Sequence, residues 1–69
     1  RAIVIDVRAF ALDARGARGA LLAEREDLGT DVLALDASLL TGLRALEFEV
    51  ELRRAEGGAP ILDVVRQER

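Results

Sequence analysis

Thr41-Gly42-Leu43-Arg44-Ala45-Leu46-Glu47-Phe48-Glu49-Val50-Glu51-Leu52-Arg53-Arg54-Ala55-Glu56 is the stretch on which the fold turns. Leu46, Phe48, Val50 and Leu52 alternate strictly with Glu47, Glu49 and Glu51, the period-two signature of a strand with one wet face. Leu39, Leu43, Leu46 and Val50 also recur at helical spacing, and the Glu, Leu, Ala and Arg content suits a helix. The pattern by itself favours the strand. Gly57-Gly58 ends the element under either reading.

On the C-terminal side, Pro60-Ile61-Leu62-Asp63-Val64-Val65-Arg66 reads as an edge strand opened by its proline. A short helix with Pro60 at its first position is the rival. At the other end of the chain, residues 2–12 are rich in β-branched side chains. Ile5, Val7 and Ala9 fall on one face there, Asp6 and Arg8 on the other, which predicts a strand. Asp13 then stands where an N-cap accepts the first free N–H groups of a helix. Ala17, Ala20, Leu21 and Ala23 form a modest apolar stripe ending near Asp27, with Gly29 placed as a left-handed C-terminal cap. Gly16 and Gly19 weaken the start of that helix by about 1 kcal/mol each. Asp31-Val32-Leu33-Ala34-Leu35-Asp36-Ala37-Ser38 is a short apolar run bounded by acids, as in a central strand covered on both faces.

Two architectures follow. A helical Thr41–Glu56 gives strand, helix, strand, helix, strand, an α/β fold with a parallel core sheet and helices packed on it. An extended Thr41–Glu56 makes the middle a hairpin and the fold an α+β sandwich of the ferredoxin-like kind.

Composition narrows the functional classes. Sixty-nine residues make one domain, and a chain this short buries only roughly 60% of its unfolded surface, so it needs outside support. With no cysteine and no histidine, disulfides, thiolate metal sites and the commonest general base are absent. A partner surface, from another protein or a second copy in a homo-oligomer, is the remaining source of stability. Ten arginines oppose thirteen acids for a net charge of −3, without the one-sided positive excess of a nucleic-acid binder. Two phenylalanines and no Trp or Tyr leave little for stacking on bases. No apolar run approaches the ~20 residues that cross a bilayer, and no signal peptide is legible. The expectation is a cytoplasmic, soluble domain cut from something longer.

The order of residues resembles the STAS family of sulphate-transporter and anti-sigma-factor-antagonist domains. Phe10-Ala11-Leu12-Asp13 stands at the family's first turn, and Asp31 to Ser38 resembles its central strand. Thr41-Gly42-Leu43-Arg44-Ala45-Leu46 resembles the start of its second helix, and Arg53-Arg54-Ala55-Glu56-Gly57-Gly58 the end. Gly42-Leu43 and Gly57-Gly58, at the family's separation, move the reading of Thr41–Glu56 from strand to helix. The resemblance therefore implies a small STAS-like β-α-β-α-β sheet over residues 1–69. The turn from Ser38 to Gly42 is shorter than the family's, and the C-terminal helix is missing.

The resemblance implies a bacterial regulatory module that docks an anti-sigma kinase through the turn before its second helix, switched by a phosphorylated serine. Leu40 occupies that serine's position, leaving Ser38, Thr41 and Gly42 as the phosphoacceptor or docking turn. Capping of the helix start by Ser38 or Thr41 is the simpler role. The lack of the acceptor serine favours a second reading, a non-switching structural subunit of a larger assembly such as a transporter complex.

No other constellation competes. Asp6, Asp13, Asp31 and Asp36 lack the loop spacing of a hard-cation site. Gly16-Ala17-Arg18-Gly19 lacks the context of a phosphate-binding loop. Glu47, Glu49 and Glu51 make an acidic comb only if their segment is extended. No nucleophile–base pair can be assembled without Cys, His or Lys, so the expectation is a non-enzyme with no cofactor and no metal.

Overall fold

The computed structural model of the protein describes residues 2–69. It is one antiparallel sheet of four strands: β1 (Ile3–Leu12), β2 (Arg18–Arg25), β3 (Ala45–Arg54) and β4 (Ile61–Glu68). The spatial order is β2-β1-β3-β4, so two hairpins lie side by side. The long connection from β2 to β3 holds the only helical turn among the described residues, a 3-10 turn over Ala37–Leu40.

The expected α/β architecture is thus corrected, and so is the α+β alternative with its central hairpin. The Thr41–Glu56 helix implied by the STAS resemblance is β3, bonded on one side to β1 and on the other to β4. Alternation prevails over helix propensity because the extended backbone sends Leu46, Phe48, Val50 and Leu52 to one face, opposite Ala11, Ala9, Val7 and Ile5. Propensity differences are only tenths of a kcal/mol per residue, whereas burial of one large aliphatic side chain contributes about 1.5–3 kcal/mol.

The helix expected after Asp13 is β2, and Asp13 caps a hairpin turn instead. Its Oδ1 accepts from the main-chain N–H of Arg15 at 2.8 Å and of Ala17 at 2.9 Å. Register shifts between Ala9 and Leu12 mark bulges against β2. Gly19 belongs to this irregularity, since a Cβ there would lie 3.2 Å from the Ala11 carbonyl oxygen. Residues 31–38, read as a central strand, belong to no strand, Ala37 and Ser38 falling in the 3-10 turn. Asp31 accepts from the Val32 N–H and Asp36 from the Ser38 N–H, local bonds that compete with a sheet ladder. The readings of residues 2–12 as a strand and of Pro60–Arg66 as an edge strand hold. Gly57 and Gly58 break the chain between β3 and β4 at φ of 108° and 105°, a region open to glycine and strained for other residues.

The core is thin. Ala9 (0% exposed), Leu12 and Leu46 (5% exposed) are its buried apolar residues. In the β2–β3 connection Leu33, Leu35, Leu40 and Leu43 are half-buried. On β4 the apolar face is open, with Ile61 65% and Val65 51% exposed. Leu46→Ala should lower the free energy of unfolding by about 2–3 kcal/mol, the lower part of the range for buried leucines. Val32→Ala, at a side chain 70% exposed, should change it by less than about 0.5 kcal/mol. Urea denaturation of the two variants measures both.

Candidate functional site

The two faces of the sheet differ in kind. On the charged face β3 presents Glu47, Glu49 and Glu51, and its register with β1 sets them opposite Phe10, Arg8 and Asp6. The acidic comb therefore exists, and cations from three other strand positions fill its gaps. Arg8 donates from Nε to Glu49 at 2.9 Å and from Nη2 to Glu51 at 2.7 Å. Arg18 of β2 donates from Nε to Glu47 at 2.7 Å and from Nη2 to Glu49 at 3.0 Å. Its guanidinium carbon also stands 4.1 Å from the centre of the Phe10 ring, a cation–π contact. Arg66 of β4 donates to the other oxygen of Glu47 at 3.0 Å. One run of alternating charge thus links all four strands.

Asp6 is the second knot. Its carboxylate accepts from Arg53 at 2.8 and 3.2 Å and from the main-chain N–H of Asp27 at 2.9 Å. It ties β3 and the exit of β2 to β1 while almost fully buried. No buried side-chain polar atom among the described residues lacks a partner.

The docking turn expected from the sequence lies elsewhere, in the β2–β3 connection. Ser38 sits in the 3-10 turn and donates from both its N–H (3.0 Å) and its hydroxyl (2.9 Å) to Asp36 Oδ1. Thr41 is the residue that ends this turn, in an extended conformation, and Gly42 follows at φ 80°. All three are exposed. The structure brings them together along the chain but sets no helix behind them. Asp36, with its carboxyl held below the usual range by the Ser38 hydrogen bonds, takes the capping role assigned to Ser38 or Thr41. Asp6, Asp13, Asp31 and Asp36 do not converge, and the described residues contain no group of three or more potential ligands able to hold a metal ion.

Comparison with protein-family models, curated proteins and solved structures finds no match to this chain. Its functional surface must be read from its own geometry.

That geometry singles out β4. All eight of its residues are exposed, although its pairing with β3 runs unbroken over eight positions from Ala45↔Glu68 to Leu52↔Ile61. Its outer edge leaves a row of backbone N–H and C=O groups without a strand beside them. Ile61 and Val65 project on the apolar face, Leu62 and Val64 on the charged one. Both edge strands carry charged residues, but the opposite edge, β2, is also broken by bulges near Gly19, whereas the β4 ladder is regular. Sequence reading located β4 as an edge strand but missed its exposure on both faces, which depends on what fails to pack there. A shallow apolar groove lined by Ile3, Leu52, Ala59 and Ile61 adjoins its start.

The carboxyls of Asp6, Glu47 and Glu49 are held below their ordinary values of 3.8, 4.5 and 4.5, chiefly by hydrogen bonds from Arg53, Arg18 and Arg8 respectively. A carboxyl depressed in the folded state stabilises the fold above its unfolded pKa, and this is lost as pH falls through the folded value. The unfolding midpoint should therefore be flat from pH 7 to about 5 and fall progressively below about 4.5. Thermal melts of Glu47→Gln should show a lower midpoint at pH 7 and a shallower acid slope than the parent. An equal slope would place the acid sensitivity elsewhere.

Proposed function

We propose that this protein is a non-catalytic interaction module whose β4 edge receives an extended strand of a partner. The observation carrying this reading is a regular eight-residue strand, exposed on both faces and with no strand on its outer side, opposite an edge that is broken by bulges. Strand addition at such an edge draws affinity from main-chain hydrogen bonds and specificity from alternate side chains. Ile61 and Val65 on one face, and Leu62 and Val64 on the other, supply apolar contacts for those side chains.

Surface area supports the same reading. The chain exposes 4928 Å², whereas a compact protein of 7.5 kDa exposes about 4,250 Å² by the scaling of area with mass. Its radius of gyration is 13.2 Å against about 11 Å for a compact chain of this length. The excess surface suits a structural subunit, which favours assembly over switching. A kinase-docking helix is not part of the proposal. No helix among the described residues is long and apolar enough to cross a membrane, and a chain without cysteine fits the reducing cytoplasm, where we place it. Catalysis is left out because the arginines and carboxylates of the charged face are committed to one another.

A short peptide of alternating Val and Thr, titrated into isotopically labelled protein, should shift the amide resonances of residues 61–68 and leave residues 18–25 unmoved. The double variant Val64→Lys/Val65→Lys, altered at two exposed positions, should retain its circular dichroism spectrum and lose those shifts. With the protein kept dilute enough to be monomeric, shifts at β2 instead, or none at millimolar peptide, would contradict the proposal.

A further inference from the structure

We infer that the strand received by β4 is the β4 of a second copy, paired antiparallel about a two-fold axis at Val65. This rests on the reading of β4 as a receiving edge. It goes further by naming the occupant and the register.

A two-fold axis that pairs two copies of an edge strand in one continuous sheet must stand perpendicular to the sheet, so each face meets its own kind. Directly opposite residues then come from the same face, and the axis must pass through a residue of β4. The sequence Ile61-Leu62-Asp63-Val64-Val65-Arg66-Gln67-Glu68 limits the choice. Centring on Asp63 sets two carboxylates face to face, and centring on Arg66 sets two guanidiniums so, both unfavourable for cross-strand pairs. Centring on Val64 sets Asp63 against the second copy's Val65, with the two Asp63 carboxylates diagonal to each other.

Centring on Val65 removes the conflict at Asp63 and leaves a diagonal like-charge pair only at Arg66. Val65 meets its own copy on the apolar face, and Asp63 stands opposite the second copy's Gln67, whose amide can donate to it. On the charged face Val64 lies opposite the second copy's Arg66, and Leu62 opposite its Glu68. The two Arg66 side chains are then diagonal, but each already donates to Glu47 of its own chain at 3.0 Å. Asp63 is the one charge that β4 places on the apolar face, and this register gives it a polar partner without setting like charges directly opposite each other. The chain as a whole exposes about 700 Å² more than a compact protein of its mass, comparable to the ~800 Å² that each partner contributes to a standard stable interface. The product is an eight-stranded sheet closed at its centre, with β2 at both ends.

The native chain has no cysteine, so engineered thiols report without background. Residues directly opposite in an antiparallel pair have Cα atoms about 4.5–5.5 Å apart, within disulfide reach. Val65→Cys should oxidise to a disulfide-linked dimer, and Asp63→Cys should not, whereas Asp63→Cys/Gln67→Cys should cross-link. Sedimentation of the unaltered chain should show its mass rising from 7.5 kDa toward twice that value between micromolar and about 1 mM concentrations. A monomer throughout that range would overturn the inference, as would cross-linking through Asp63→Cys rather than Val65→Cys. If that monomer still takes up the Val/Thr peptide at β4, only the self-pairing fails. If it takes up no peptide either, the receiving edge itself is refuted.

Discussion

Everything in this sheet hangs on the three glutamates that β3 turns to one face. Carboxylates two residues apart along a central strand repel unless cations stand between them, and here every cation comes from another strand. Arg8 bridges Glu49 and Glu51, Arg18 bridges Glu47 and Glu49, and Arg66 closes on Glu47. Because the side-chain period is two, a slip of one residue would send the glutamates to the apolar side and strip the arginines of partners. The charge pattern therefore specifies register, a task that the thin core of Ala9, Leu12 and Leu46 is too small to perform alone.

How far the fold was legible depends on how local its cause was. The first strand, the edge strand after Pro60 and the break at Gly57-Gly58 are written in short-range chemistry, and they stand where the sequence places them. Thr41–Glu56 carries two periods at once. The strict alternation from Leu46 to Leu52 is the sounder signal, and the pairs Gly42-Leu43 and Gly57-Gly58 draw the reading toward a helix. Those glycines serve turns at either end of β3, as their positive φ angles show. Residues 18–25 are the hardest, since Ala20, Leu21 and Ala23 suit a helix and only pairing with β1 makes them a strand. The ion-pair partners Arg8, Arg18 and Arg66 lie 19 to 43 residues from the glutamates they hold, too distant for any local pattern to reveal.

The two edges of the sheet carry opposite histories of the same constraint. At β2 the chain bulges against β1 and departs from it at Asp27, a residue with φ of 53° whose N–H is caught by Asp6. At β4 the ladder is regular to the end, and nothing among the described residues lies over its outer side. The bulged ladder at β2 and the regular one at β4 make the two edges unlike. Ser38, Thr41 and Gly42, the turn singled out from the sequence, lie exposed in the β2–β3 connection, with Ser38 bonded to Asp36.

Amide hydrogen exchange, followed residue by residue, tests the central claim most directly. With β3 flanked on both sides, every amide from Leu46 to Leu52 should be protected. In dilute protein, β4 should alternate between protected amides facing β3 and fast ones facing outward. Rapid exchange at every second residue of Leu46–Leu52, or uniform protection continuing as one helix from Thr41 to Glu56 with β4 wholly unprotected, would contradict the account.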